Sequence, residues 1–172
     1  MSRGAPKVVL FQEEQRFRQP FFVILAVGLA GLSTYALIGQ VVLRRPFGQH
    51  PAPDAVLWII WAAFGLAFPF VMLSLRMTTE VSDEGIVVRF PPFFRRLISL
   101  EKIRSFEVRK YSALKEYGGW GVRYSLKHGT AYNVSGPLGV QLTLQDGKKI
   151  LIGSQSPDRL AGALGDLLRY KR

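Results

Sequence analysis

Two stretches of this chain carry no charged side chain, and each is long enough to cross a lipid bilayer. Residues 21–43 read FFVILAVGLAGLSTYALIGQVVL and residues 55–75 read AVLWIIWAAFGLAFPFVMLSL, 23 and 21 residues long. A helix rises about 1.5 Å per residue and the hydrocarbon core is about 30 Å thick, so roughly 20 apolar residues suffice to span it. Neither stretch alternates polar with apolar residues, and neither carries a one-sided apolar stripe, so a soluble helix is disfavoured. A cleaved signal peptide is a poor match for the first: its apolar run is too long, and no small-x-small site precedes Arg44-Arg45-Pro46. The chain is therefore expected to be a membrane protein with a transmembrane hairpin over residues 20–76.

Only the 11 residues from Arg44 to Asp54 separate the spans, so both termini are expected on one side. The arm over residues 1–19 carries Arg3, Lys7, Arg16 and Arg18; Arg76, Arg89, Arg95 and Arg96 follow the second span. The connection has only Arg44 and Arg45. Positive charge near span ends marks the cytoplasmic side, which places both termini in the cytoplasm of a cell (plasma) membrane. Trp58 and Trp61 then fall near the outer end of the second span, where aromatic belts form. Gly28, Gly31, Ser33 and Thr34 offer small surfaces for close helix contact. No ionisable residue lies inside either span, so a transport path is disfavoured and an anchor is expected.

Beyond Met77 the pattern changes from continuous apolar to alternating. Residues 78–81, 86–90, 94–100, 106–108, 122–126, 140–144 and 149–152 read as about seven antiparallel strands, with Asp146-Gly147 as a hairpin turn. Ser156, Pro157 and Asp158 start a helix, and Leu160, Leu164, Leu167 and Leu168 recur along it at helical spacing. Residues 77–172 are thus expected to form a cytoplasmic domain: a β-barrel of the pleckstrin-homology-like plan closed by one C-terminal helix. The fold class is α+β, an apolar hairpin followed by that barrel.

Several segments also resemble a family of small prokaryotic two-span membrane proteins with a C-terminal pleckstrin-homology-like domain. They are LFQEEQRF at residues 10–17, YGGWGVR at 117–123, AYNVSG at 131–136, GVQL at 139–142 and LIGSQ at 151–155. The resemblance covers nearly the whole chain. It implies the fold and, because the family is functionally uncharacterised, no activity.

Charge narrows the partners. The chain carries a formal +11, and residues 77–172 alone hold 16 Lys/Arg against 9 Asp/Glu. A basic domain tethered beside a bilayer meets the negative potential of anionic lipids, which is more economical here than nucleic acid. In Pro91-Pro92-Phe93-Phe94-Arg95-Arg96, paired aromatics precede paired arginines, a pattern suited to the lipid interface; the competing reading puts Phe94 in the core. Tyr117-Gly118-Gly119-Trp120-Gly121 followed by Arg123 either presents Trp120 to a partner or turns it into the domain, and the second reading is favoured. It lacks the GxxxxGK[ST] and GxGxxG patterns of phosphate loops. Asn133-Val134-Ser135 matches a glycosylation acceptor but falls in an expected cytoplasmic strand.

The chain contains no cysteine, and its two histidines, His50 and His128, are expected on opposite membrane faces. No metal site, cofactor or paired acid and base emerges; Asp83, Glu84, Glu101 and Glu107 are scattered carboxylates. A non-enzymatic binding module is expected, docking a protein partner or anionic lipid headgroups through Phe93, Phe94, Arg95, Arg96, Trp120 and Arg123. The alternative is a structural or assembly subunit of a membrane protein complex.

Overall fold

The computed structural model describes residues 8–17, 19–46 and 50–170. Arg3, Lys7, Arg18, Lys171 and Arg172 lie outside the described residues. Two compact units result, one from Phe17–Leu75 and the other from the flanking segments up to Arg16 and from Arg76 onward.

The apolar unit contains two helices long and apolar enough to cross a membrane, Pro20–Val42 and Asp54–Ser74, each within one residue of the expected start. The first begins as α1 (Pro20–Leu37) and ends in a π-helical turn at Ile38–Val42. The second consists of α2 (Asp54–Ile60), a π-helical stretch at Trp61–Ala67, and α3 (Phe68–Ser74). Pro69 explains the widened stretch. It has no N–H to give the carbonyl four residues back, and the neighbouring Phe68 N–H bonds the Ala63 carbonyl, five residues back.

The helices meet through polar and small groups. Trp61 Nε1 donates to Thr34 Oγ1 at 3.1 Å, and a side chain at Gly65 would press on Trp61 and on Ser33 Oγ. Gln40 Nε2 reaches the Ala52 carbonyl at 2.7 Å and Asp54 Oδ1 at 2.8 Å, closing the connection. Of the small residues expected at the contact, Ser33 and Thr34 take part. Gly28 and Gly31 do not: a Cβ at either would meet nothing within 4 Å. Helical phase turns them away from the partner helix.

The second unit holds nine strands among the described residues, sorted into two sheets. Sheet one has the order β1 (Val9–Arg16), β2 (Arg76–Ser82), β3 (Gly85–Phe90), β4 (Phe94–Ile98), antiparallel throughout. Sheet two has the order β5 (Ile103–Lys110), β8 (Leu138–Leu144), β9 (Lys149–Gly153), β7 (Gly129–Asn133), β6 (Gly121–Ser125). A five-residue helix, α4 (Ala113–Tyr117), links β5 to β6, and α5 (Pro157–Tyr170) ends the described chain.

This revises the expected barrel. Two strands are added to the seven read from alternation, β7 pairs with β9 in parallel, and no strand pair joins the sheets among the described residues. The strand expected over 94–100 stops at Ile98, because Leu100–Lys102 turn as a 3₁₀ helix. Val9–Arg16, assigned by sequence to an N-terminal arm, is a paired strand. Its inward residues Phe11, Glu13 and Gln15 alternate correctly, but two of the three are polar, which masks the period-two signal.

Those polar residues hold the sheets to each other. Gln15 Nε2 donates to the Gly153 carbonyl at 2.8 Å. Glu13 accepts from Ser154 Oγ at 2.5 Å and from the Gln155 N–H at 2.8 Å. The apolar core lies between, with Met77, Val81, Ile86 and Val88 from sheet one and Val140, Leu142 and Ile152 from sheet two, all fully enclosed. Leu160 and Leu164 of α5 are equally buried. The β2–β3 turn needs Gly85, at φ +136, where any side chain would collide with the Ile98 carbonyl.

Glu13→Ala should remove both carboxylate bonds and lower the unfolding free energy of the β unit by about 1–3 kcal/mol. Thermal melting of the full chain, followed by near-ultraviolet circular dichroism, measures it. A melting temperature equal to wild type would show that these bonds do not hold the sheets.

Candidate interaction surface

The β3–β4 connection places four of the expected surface residues together. Phe90 pairs with Phe94, Arg89 with Arg95 and Val88 with Arg96, so Phe94 and Arg96 share the inward side while Arg95 and Leu97 point outward. Phe93 forms the tip of the turn and is 73% exposed. Phe94 behaves as the competing reading required: its ring lies 6.4 Å from Phe90 and 5.5 Å from Tyr132 of β7, bridging the sheets. Burial raises the pKa of the Tyr132 hydroxyl, and the nearby Arg96 charge opposes that rise. No carboxylate pairs with Arg95 or Arg96 among the described residues. Their neighbours are matched: Arg89 with Glu80 at 3.6 Å, and Arg16 and Arg76 with Glu14 at 2.9 and 3.5 Å.

Strand β6 extends this surface. Val122 pairs with Tyr132, the residue on which Phe94 stacks, and Tyr124 lies two residues along the same side. Their alternation suggests a buried face, yet Val122 is 43% and Tyr124 71% exposed. As the edge of a five-stranded sheet, β6 overhangs the four-stranded one and is left uncovered. The result is an aromatic and aliphatic patch on the side of Arg96, with Arg95, also unmatched, on the other face of β4, a composition suited to an anionic interface.

Trp120 and Arg123 lie apart from it. Trp120 packs against Tyr111, Ala113, Tyr117, Ala131 and Leu151, a small second core on the other side of sheet two. Arg123 Nε donates to the Trp120 carbonyl at 2.9 Å. The glycine-flanked tryptophan is thus turned into the domain.

Beside that core is a polar cluster that the sequence did not reveal. Arg109 on β5 donates to Gln141 Oε1 at 3.1 Å, to Glu116 Oε2 at 2.7 Å and to the Tyr117 hydroxyl at 3.2 Å. Tyr117 in turn donates to the His128 carbonyl at 3.3 Å, and His128 Nδ1 is 3.7 Å from Glu116 Oε2. Local chemistry positions Glu116: Ser112 caps α4 by accepting the Lys115 N–H, Glu116 Oε1 accepts the Ser112 N–H at 2.8 Å, and Gly118 ends the helix at φ +71. The clue in the sequence was Ser112 four residues before Glu116. Burial alone would raise Glu116, but Arg109 and the Ser112 N–H hold it below its ordinary value. Burial pushes the Tyr111 hydroxyl up to about 12 and raises Tyr117 despite Arg109.

Every cluster member has a structural partner, and the groups face one another, an arrangement that fastens α4 over the sheet. No group of three or more His, Asp or Glu side chains converges as a metal site among the described residues. A family model described as a family of unknown function (DUF6141) matches residues 1–168. No curated protein matches the chain.

The depressed Glu116 carboxyl gives a pH-dependent prediction. In the folded chain it binds its proton less tightly than when unfolded. Its contribution is therefore complete above its ordinary value of 4.5 and is lost as pH falls through the lower folded value. Glu116→Gln should cost about 1–3 kcal/mol at neutral pH, and its melting temperature should converge on that of wild type on acidification. A gap that stays constant between neutral and strongly acidic buffer would exclude the Glu116–Arg109 bond as its origin.

Proposed function

The chain belongs to that family of unknown function, so its role has to be read from its own geometry, and we propose that it is a membrane-anchored, pleckstrin-homology-like binding module. The apolar helices form the anchor, both termini are cytoplasmic, and the basic patch at the β3–β4 turn docks anionic lipid headgroups. One observation carries the anchor. Phe21, Ile24, Val27, Ile59, Phe70 and Leu73 all stand exposed on the helices; a two-helix hairpin has too few neighbours to bury them, and lipid is the solvent that accepts such a surface.

The pleckstrin-homology-like reading is supported by a four-stranded antiparallel sheet, a second sheet facing it, and a C-terminal helix whose apolar side enters their shared core. A fold of this kind does not assign a ligand. The lipid assignment rests on the exposed Phe93, Val122 and Tyr124 on the side of Arg96, and on Arg95 next to it on the other face of β4. A well-placed basic side chain near an anionic surface contributes about 1 kcal/mol, so two arginines and an aromatic tip suit reversible apposition of an already tethered domain.

The test uses the full chain in lipid nanodiscs. Amide hydrogen exchange over residues 90–98 should slow when phosphatidylglycerol replaces part of the phosphatidylcholine, and Arg95→Glu with Arg96→Glu should abolish the slowing. Equal exchange in both lipids would remove the headgroup assignment. Extraction of the chain from membranes by alkaline carbonate would remove the anchor itself.

A further inference from the structure

Strand β5 is the other edge of sheet two, and its outward side is a docking edge of a different kind. The Tyr111 N–H donates to the Pro137 carbonyl at 2.8 Å. In an antiparallel ladder, opposed pairs alternate between bonded and non-bonded. Counting back by twos through the register, Arg109–Gly139, Glu107–Gln141 and Ser105–Thr143 are the bonded pairs. The N–H and C=O groups of Phe106 and Val108 consequently point away from β8. No strand lies beyond them among the described residues.

A groove runs along this edge between β5 and α5, lined by Arg104, Ser105, Phe106, Gly165, Leu168 and Arg169. Its floor is the half-buried Phe106 ring, and Val108 beside it is 40% exposed. Gly165 keeps it open, since even a Cβ there would touch Phe106 Cζ at 3.8 Å and anything longer would enter the space. Arg104 and Arg169 flank the groove, and neither has an ion-pair partner among the described residues.

We infer that this edge accepts an extended acidic peptide segment of a partner protein, which adds to sheet two as a sixth strand. Backbone bonds to Phe106 and Val108 supply its register. Apolar side chains on the groove-facing side of the segment rest on Phe106 and Leu168, and carboxylates at the ends of that same side meet Arg104 and Arg169. Charge selects this occupant over a second copy of the chain. Two β5 strands paired antiparallel about Phe106 and Val108 would set Arg104 of each near Lys110 of the other, so like charges would oppose. This inference is independent of the lipid reading, which concerns the β3–β4 turn and the β6 edge.

The test takes the full chain in zwitterionic detergent micelles, without anionic lipid, and a fluorescein-labelled ten-residue peptide whose alternate, groove-facing residues are glutamate at the ends and valine between, with threonine at the other positions. Anisotropy should report saturable binding, weaker by at least about ten-fold for the valine–lysine counterpart. Val108→Pro deletes an outward N–H while leaving every β5–β8 bond in place, and it should weaken binding by at least about ten-fold. Gly165→Leu should block the groove, and Arg104→Glu with Arg169→Glu should reverse the preference toward the lysine peptide. The last two variants and exchange protection of the Phe106 and Val108 amides keep the test intact if the proline variant misfolds.

Equal affinity for the two peptides, or affinity indifferent to groove filling and charge reversal, would overturn the inference. So would sedimentation showing a dimer that charge reversal strengthens in the absence of peptide binding, because the edge would then belong to a second copy.

Discussion

The pairing of β1 with β2 is the constraint on which the rest of this chain depends. These strands are neighbours in the sheet and consecutive in sequence, yet the whole apolar unit is the connection between them. Such a connection works only if it brings its two ends back together. A helical hairpin does so: Gln40 bonds Asp54 and the Ala52 carbonyl at its closed end, and Trp61 bonds Thr34 further along. Once paired, β1 offers Glu13 and Gln15 to the β9–α5 junction, and the second sheet is held against the first.

Covering sheet two on both faces follows from the same economy. One face meets the four-stranded sheet and α5. The other, which would expose Ala131 and Leu151, is closed by Tyr117 at the end of a short helix and by Tyr111 and Trp120 on either side of it. A five-residue helix has little stability of its own, so its position depends on caps and on the Arg109–Glu116 bond. The two edge strands are what remains uncovered. β6 leaves an aromatic face on the side of the unmatched Arg96, and β5 leaves backbone groups beside a groove with two further unmatched arginines. The proposed lipid contact thus joins the β3–β4 turn to the β6 edge of sheet two, and the proposed peptide contact takes the β5 edge.

Much of the candidate surface was legible. Phe93, Phe94, Arg95 and Arg96 form a local motif, and their grouping on one hairpin is a matter of adjacent residues. The rival reading of Phe94 proved right as well, since a ring next to a turn finds whatever lies across the core, here Tyr132. Trp120 was correctly favoured as inward. Val122 and Tyr124 misled, because alternation reports which side chains share a face and is silent about whether anything covers that face. The Arg109, Glu116, Tyr117, His128 and Gln141 cluster was illegible because it draws on β5, α4, the β6–β7 turn and β8.

By itself the sequence determined the lengths and limits of the two apolar helices, seven of the strands, the C-terminal helix and the excess of positive charge. Each of these is written in neighbouring residues, as continuous apolarity, a two-residue or near four-residue period, or composition. Tertiary structure alone decided that Val9–Arg16 is a strand, that β7 runs parallel to β9, that the strands divide into two sheets, and which edges stay open. Those outcomes depend on contacts between residues far apart in the chain, such as Gln15 with Gly153, where the partner rather than the local pattern sets the conformation.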